Sequence, residues 1–350
     1  MLDYNFTTAV INKTTGDGWV VMRPPDNVKL FMNFYRACLF PFILFMGMGG
    51  NVLSLIIFPR MNRRDKSTSQ YLTFLAASDL VNLITNGLTD SWMNNALYEY
   101  TDGKVFFDFL ATHMAVCKIF RYLWYISSAT STWTLMLYNV EKCVAIHFPL
   151  KRERLITSRS RIIAICSIVI IAMIGRSPFV FGYDLNEKGT SCDLIFDRLL
   201  GAGTIIVIVV ELITTFAIPC FIVIISNVVI ASTLIKTRRA TGSEAIQKHG
   251  GHTDDKSYRF LVNLISVSVL FLVTVTPACV LWTMFWIRIL IHTLYGSGPN
   301  FDVLYYALFA TNVQDLNFCL NFVVYIACLD FYQQEARKLV CRPCIAAKQH

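Results

Sequence analysis

Long apolar runs alternate with short polar stretches along almost the whole chain. Seven of these runs approach or exceed the roughly 20 residues that a helix needs to cross a bilayer. They fall at about 31–59, 69–97, 113–146, 159–182, 201–236, 257–292 and 301–328. The pattern predicts an all-α membrane protein, a seven-transmembrane helix bundle. The second and third runs are the least apolar, at their outer ends. Residues 1–30 are polar and lack the apolar core of a signal peptide, so the first run is expected to act as a retained targeting signal. Beyond the last run, Asp330 to Cys341 reads as a short amphipathic eighth helix, with Phe331, Leu339 and Val340 on its apolar side. The expected organisation is an N-terminal segment 1–30, a bundle 31–328 and a tail 329–350.

Composition agrees. Apolar residues make up 55% of the chain and charged residues 15%, with a mean hydropathy of +0.51. Soluble domains average about 45–50% and about 25%. The net charge of +8 does not imply nucleic acid, because in such a chain the placement of charge matters more than its sum. Lys and Arg crowd the loops after the odd-numbered runs and the tail, as in Arg60, Arg63, Arg64, Lys151, Arg152, Arg238, Arg239, Arg337 and Lys338. The positive-inside rule then places the N-terminus outside the cell and the C-terminus in the cytoplasm, as expected of a multi-pass protein of the plasma membrane. Asn5-Phe6-Thr7 and Asn12-Lys13-Thr14 are glycosylation acceptors on the same predicted outer side. Cys117 and Cys192 both fall on that oxidising face and are expected to pair. Cys341 and Cys344 follow the eighth helix at the inner leaflet, where palmitoylation is expected.

Asp79 is the most informative single residue. It lies in Leu75-Ala76-Ala77-Ser78-Asp79-Leu80, midway along an apolar run. An ionisable group at that depth is costly and marks function by default. Asn51 in the first run and Asn317 and Asn321 in the last are its candidate partners.

Together these residues resemble the rhodopsin-like (class A) G-protein-coupled receptors, over all seven spans. Gly50-Asn51 and Leu75–Leu80 are close to the first- and second-span signatures, and Cys117 with Cys192 matches the family disulfide. Glu141-Lys142-Cys143 stands in the place of Asp-Arg-Tyr, followed by Pro149-Leu150. Pro178, Pro219 and Pro277 fall where the family has prolines in spans four to six, and Asn321-Phe322-Val323-Val324-Tyr325 stands for Asn-Pro-x-x-Tyr. The departures are several. Lys142 replaces the family arginine and loses its planar fork. Val275 replaces the tryptophan before Pro277, Phe322 the span-seven proline, and Asn227 a span-five tyrosine.

The resemblance implies a ligand cavity at the outer end. Trp124 stands where amine receptors carry an aspartate, and no lysine occupies the retinal position, since Gln314 and Asp315 stand there. Asp90, Trp92, Arg121, Trp124, Tyr125, Glu211, Trp282, Phe285 and Asp315 are the candidate lining residues. An acidic, aromatic mouth suits a cationic peptide through ion pairs and cation–π contact, and Asn-Phe-x-x-Tyr resembles many invertebrate neuropeptide receptors. The implied switch runs through Asn51, Asp79, Glu141, Lys142, Pro219, Phe271, Pro277, Asn321 and Tyr325. It ends in outward movement of span six and binding of a heterotrimeric G protein. Asp79, Ser131, Asn317 and Asn321 offer oxygens suited to an allosteric sodium ion; no other cofactor is expected.

Bland readings stand beside these. Trp92 also fits an interface anchor, Glu211 a partner for Arg176, and Lys142 a satisfied edge cation. A divergent orphan, decoy or chemosensory homologue with weak coupling is favoured by Lys142 and Val275. A transporter or channel would show internal repeats or paired broken helices, and neither is visible. Nothing resembles a nucleotide loop, a catalytic triad or a metal cluster, so no enzyme is expected.

Overall fold

The computed structural model describes residues 30–32, 34–61, 66–96, 108–148, 156–186, 189, 191–194, 209–245, 251–295 and 302–346. Asn5 and Asn12 lie outside the described residues, as do the side chains of Asp90, Trp92, Cys341 and Cys344. Each apolar run becomes one helix. A π-helical turn, Tyr35–Leu39, leads into α1 (Phe40–Ile57), and α2 (Lys66–Asn82) continues as a π-helix over Leu83–Ala96. Then come α3 (Met114–His147), α4 (Ser158–Gly182), α5 (Ile218–Ala245), α6 (Gly251–Tyr295), α7 (Asp302–Cys328) and α8 (Asp330–Ala346). α5 and α6 run past their apolar stretches, because hydropathy marks the embedded part of a helix and not its ends. α8 is likewise longer than the sequence suggests.

Among the described residues, α1, α4, α5 and α6 are long and apolar enough to cross a membrane by composition alone. The pair α7 and α8, bent by 102° at Leu329, adds a fifth. α2 and α3 fall short because they bury polar side chains inside the bundle. Ser127, Ser128, Thr130, Ser131, Thr132, Thr134, Asn139 and Glu141 on α3 are all buried. Several hydroxyls turn back on their own helix, as Thr134 Oγ1 does to Thr130 O at 2.6 Å and Thr130 Oγ1 to Ser127 O at 3.1 Å. That satisfies a donor where no water is at hand. α3 is therefore the central helix, packed on α2, α4 and α5, while α7 packs on α6 and α1.

Prolines inside the helices free carbonyls that need other donors. Pro178 leaves Ile174 O without its usual amide, and Ser177 Oγ donates to it at 2.8 Å. The π-helical turn Ile213–Ala217 before α5 exposes Thr214 O, to which Trp133 Nε1 on α3 donates at 2.9 Å.

At one end a hairpin closes over α3. β1 (Tyr183–Leu185) and β2 (Cys192–Leu194) pair antiparallel, with Leu185 opposite Cys192. Gly189 takes φ +65° in the turn, a conformation that favours glycine. Cys117 and Cys192 form the expected disulfide, with Cα atoms 5.6 Å apart. Asp108 reinforces the junction, accepting from Cys192 N at 3.1 Å and Leu110 N at 2.9 Å. At the α8 end the largest core cluster joins Phe58, Tyr71, Leu75, Leu135, Tyr138, Leu264, Phe271, Tyr325 and Tyr332.

α1 and α7 approach most closely at two glycines. A Cβ on Gly47 would lie 2.6 Å from Cys319 Cα, and one on Gly50 would overlap the Phe322 ring. Phe322, which stands where the resemblance expects proline, thus seats its ring on the bare backbone of Gly50.

Two predictions follow from this architecture. Peptide mapping without reductant should recover a Cys117–Cys192 cross-linked pair, and Cys117→Ala should destabilise the protein by about 2–4 kcal/mol; free thiols at both positions would contradict the pairing. Gly50→Val should lower the melting temperature of the detergent-solubilised protein, at an overpacking cost of about 1–3 kcal/mol. Phe322→Ala in the same chain should recover most of that loss, and a double variant no more stable than Gly50→Val would refute the contact.

Candidate functional site

Asp79 lies fully buried on α2. Ser131 Oγ on α3 donates to its Oδ1 at 2.6 Å, and Asn321 Nδ2 on α7 donates to its Oδ2 at 2.7 Å. One carboxylate thus joins three helices. Charge-assisted bonds of this kind are roughly twice as strong as neutral ones. Asn51 on α1 is buried and bonds backbone carbonyls. Its Nδ2 donates to Gly47 O at 3.0 Å and to Phe318 O at 2.8 Å, so it ties α1 to the backbone of α7. The Oδ1 atoms of Asn51, Asn317 and Asn321 are buried with no protein donor on them.

Toward the disulfide end lies a second carboxylate. Asp315 on α7 is 1% exposed, and both of its carboxylate oxygens accept from Asn86 Nδ2 at 3.1 Å. Between the two layers Asn82 Nδ2 reaches Ser127 Oγ at 3.4 Å. A polar seam therefore runs along α2, α3 and α7 through the interior. Asn86 was not singled out from sequence; it lies in the π-helical continuation of α2, whose winding hydropathy does not report.

The other candidate lining residues divide into two groups. Under the hairpin, Tyr125 stacks on Phe179 at 4.0 Å and its hydroxyl meets Tyr183 Oη at 3.1 Å. The Arg121 guanidinium lies 5.6 Å from the Trp124 ring centroid and 5.3 Å from that of Tyr183. On the α6–α7 side, Trp282 Nε1 donates to Thr311 Oγ1 at 3.0 Å, and Phe285 meets Trp282 edge to face. Glu211, just before α5, pairs with Arg176 on α4 and accepts from Thr215 Oγ1 at 2.9 Å. Arg176 also bonds the Thr215 hydroxyl. The alternative weighed for Glu211 is the arrangement found.

The α8 end holds the charged candidates at the base of α3 and Tyr325. Glu141 accepts from Ser67 Oγ and lies 3.8 Å from Arg161 Nη1 on α4. Lys142 Nζ donates to Thr68 Oγ1 at 2.8 Å and sits 5.1 Å from the Tyr138 ring centroid. The charges at the base of α3 therefore bond α2 and α4. α3 reaches α6 through a neutral contact, Ser268 Oγ to Asn139 Oδ1 at 3.2 Å. Tyr325 is 1% exposed and packs edge to face on Phe58 at 5.0 Å and near Tyr332 at 5.8 Å. Phe271 and Val275 are buried in the same core, Pro219 is buried on α5, and Pro277 faces outward within α6. Arg161, Ser67, Phe58 and Tyr332 were missed from sequence. Arg161 reads there as one more loop cation, and nothing local marks it as a partner of Glu141.

Comparison with known proteins bears on this geometry. Residues 50–325 match the family model of the 7 transmembrane receptor (rhodopsin family). Mouse cysteinyl leukotriene receptor 1 is 24% identical over 265 residues, covering 75% of this chain and 69% of that receptor. Bovine somatostatin receptor type 5 is 23% identical over 298 residues, covering 85% and 73%. The galanin-like G-protein coupled receptor npr-9 of Caenorhabditis elegans is 27% identical over 171 residues, covering 45% of this chain and 35% of that receptor. The matched stretch runs from Gly50, at the α1–α7 contact, to Tyr325, at the end of the polar seam, and the chain belongs to the rhodopsin family of seven-transmembrane receptors, which are receptors rather than enzymes.

Proposed function

We propose that the chain is a plasma-membrane receptor for an extracellular peptide. It would transmit binding to a heterotrimeric G protein by outward movement of the α8 end of α6 about Pro277. The disulfide end would then face outside and the α8 end the cytoplasm, in line with the placement of Lys and Arg. The observation that carries this reading is the Asp79 junction, one buried carboxylate bonded to two other helices. A change in helix packing at the ligand end must alter those bonds, and through α7 it reaches Tyr325. The ligand acts by preferring one packing over the other.

A peptide ligand is supported by the aromatic residues Trp124, Tyr125, Trp282 and Phe285 near the disulfide end. The somatostatin and galanin-like receptors among the relatives fit that reading. A lipid ligand is the second reading, favoured by the similarity to cysteinyl leukotriene receptor 1 and to human lysophosphatidic acid receptor 6. Screening cells that express the chain against neuropeptide and lipid-mediator panels, with calcium and cyclic-AMP readouts, separates the two. Responses confined to lipids would overturn the peptide assignment, and silence in all channels would favour a decoy.

The same junction fits a sodium ion. Asp79 supplies charge, Ser131 a hydroxyl, and Asn317 and Asn321 amide oxygens that lack protein donors. Hard oxygen donors of this kind suit a hard cation. Sodium would favour the closed packing, and by linkage agonist and sodium would weaken each other by one common factor. Val275 stands where the family has tryptophan, leaving a smaller cover over the site and faster exchange.

The ligand-free protein should melt at a higher temperature in sodium chloride than in N-methyl-glucamine chloride of equal ionic strength. Asp79→Asn should remove that difference. Once an agonist is known, sodium should lower its affinity by about fivefold or more in the wild type and leave Asp79→Asn unaffected. An identical sodium response in both proteins would show that Asp79 is not the ion site.

A further inference from the structure

Arg259 Nη1 on α6 forms an ion pair with Asp330 Oδ1, the first residue of α8. We propose that this pair is a latch that holds the α8 end of α6 against α8 in the closed state. The inference rests on the reading above that α6 moves. The charged groups at the base of α3 bond Thr68, Ser67 and Arg161 on α2 and α4, and a neutral bond joins α3 to α6 at Asn139 and Ser268. Arg259 gives α6 a charged tie to α8.

The two partners sit on elements of unequal mobility. Asp330 is fixed. A carboxylate at a helix N-terminus is favoured by the helix dipole. α8 is anchored by Tyr332, which is fully buried and whose hydroxyl lies 2.9 Å from Ser54 Oγ and 3.4 Å from Gly50 O on α1. Arg259 is the end of a lever. It lies eighteen residues from Pro277 along one continuous helix, about 27 Å at the helical rise. A swing of about 10° at Pro277 would carry Arg259 roughly 5 Å, more than an ion pair tolerates, while Asp330 would stay. The contact therefore exists in one state and not in the other, as a population shift requires. Both side chains are a little under half exposed, so the latch is weak. It biases the equilibrium and does not lock it.

The test uses the full chain in lipid nanodiscs, with spin labels on unnatural amino acids at Arg159 of α4 and Lys256 of α6. The distance between them reports the position of α6 without needing ligand or G protein. Arg259→Gln and Asp330→Asn should each raise the longer-distance population about two- to fivefold, the range in which exposed ion pairs act. Exchanging the charges, with Arg259→Asp and Asp330→Arg together, should return most of that population to the short distance. A movable α6 whose populations are the same in all variants would overturn the latch alone, as would an exchange variant that behaves like the single ones. A single distance in every variant would overturn the α6 movement itself, and the latch with it.

Discussion

A carboxylate inside a membrane must find full hydrogen bonding, neutralisation or a counter-ion, and Asp79 imposes that condition on three helices at once. Leaving such a group unpaired in an apolar interior costs several kcal/mol. Its two oxygens draw Ser131 from α3 and Asn321 from α7 into fixed positions. That sets the relative register of α2, α3 and α7. Asn51 then fastens α1 to the α7 backbone within a turn of the same level. The remaining contacts of the bundle can vary in residue type, because the polar junction has already selected which faces meet.

The departures from the family pattern redistribute mobility. A proline in α7 would remove one backbone bond and loosen that helix. Phe322 keeps the bond and adds a ring that seats on Gly50, so α7 runs unbroken from Asp302 to Cys328 and its turn falls at Leu329. α6 keeps its proline at Pro277 and has small Val275 where a large ring is the rule. An unbroken α7 beside an α6 that carries Pro277 fits the proposed movement of α6. At the base of α3, Lys142 bonds Thr68 on α2.

Much of the bundle was legible in the sequence because a membrane limits the backbone to few solutions. Seven apolar runs became seven helices, and Cys117 and Cys192 met as expected. Asp79 stood out because a carboxylate in mid-span is costly, and the resemblance to rhodopsin-like receptors placed Ser131 and Asn321 beside it. The unread parts are those where many partners were equally available. Arg161 is one of several cations near the α3–α4 loop, and only the crossing of α2, α3 and α4 selects it for Glu141. The Asp315–Asn86 pair depends on the π-helical winding of Leu83–Ala96, which hydropathy does not report. Helix ends were misplaced for α5, α6 and α8 because backbone bonding continues into water once the apolar stretch is over.

The polar seam also explains why α2 and α3 are the least apolar of the seven. A helix that faces lipid on most sides needs apolar residues all round, whereas a central one needs them only where it meets apolar neighbours. α4 exposes Ile162, Ile163, Ile170, Ile171 and Ile174 outward, and α3 buries Ser127, Ser128, Thr130 and Ser131. Ser127, Thr130 and Thr134 bond back to their own helix, and Ser131 bonds Asp79, so these hydroxyls are satisfied at short range. Fixed apolar packing would resist a change of register between helices. The Asp79 bonds act together with that packing and fix which faces of α2, α3 and α7 meet.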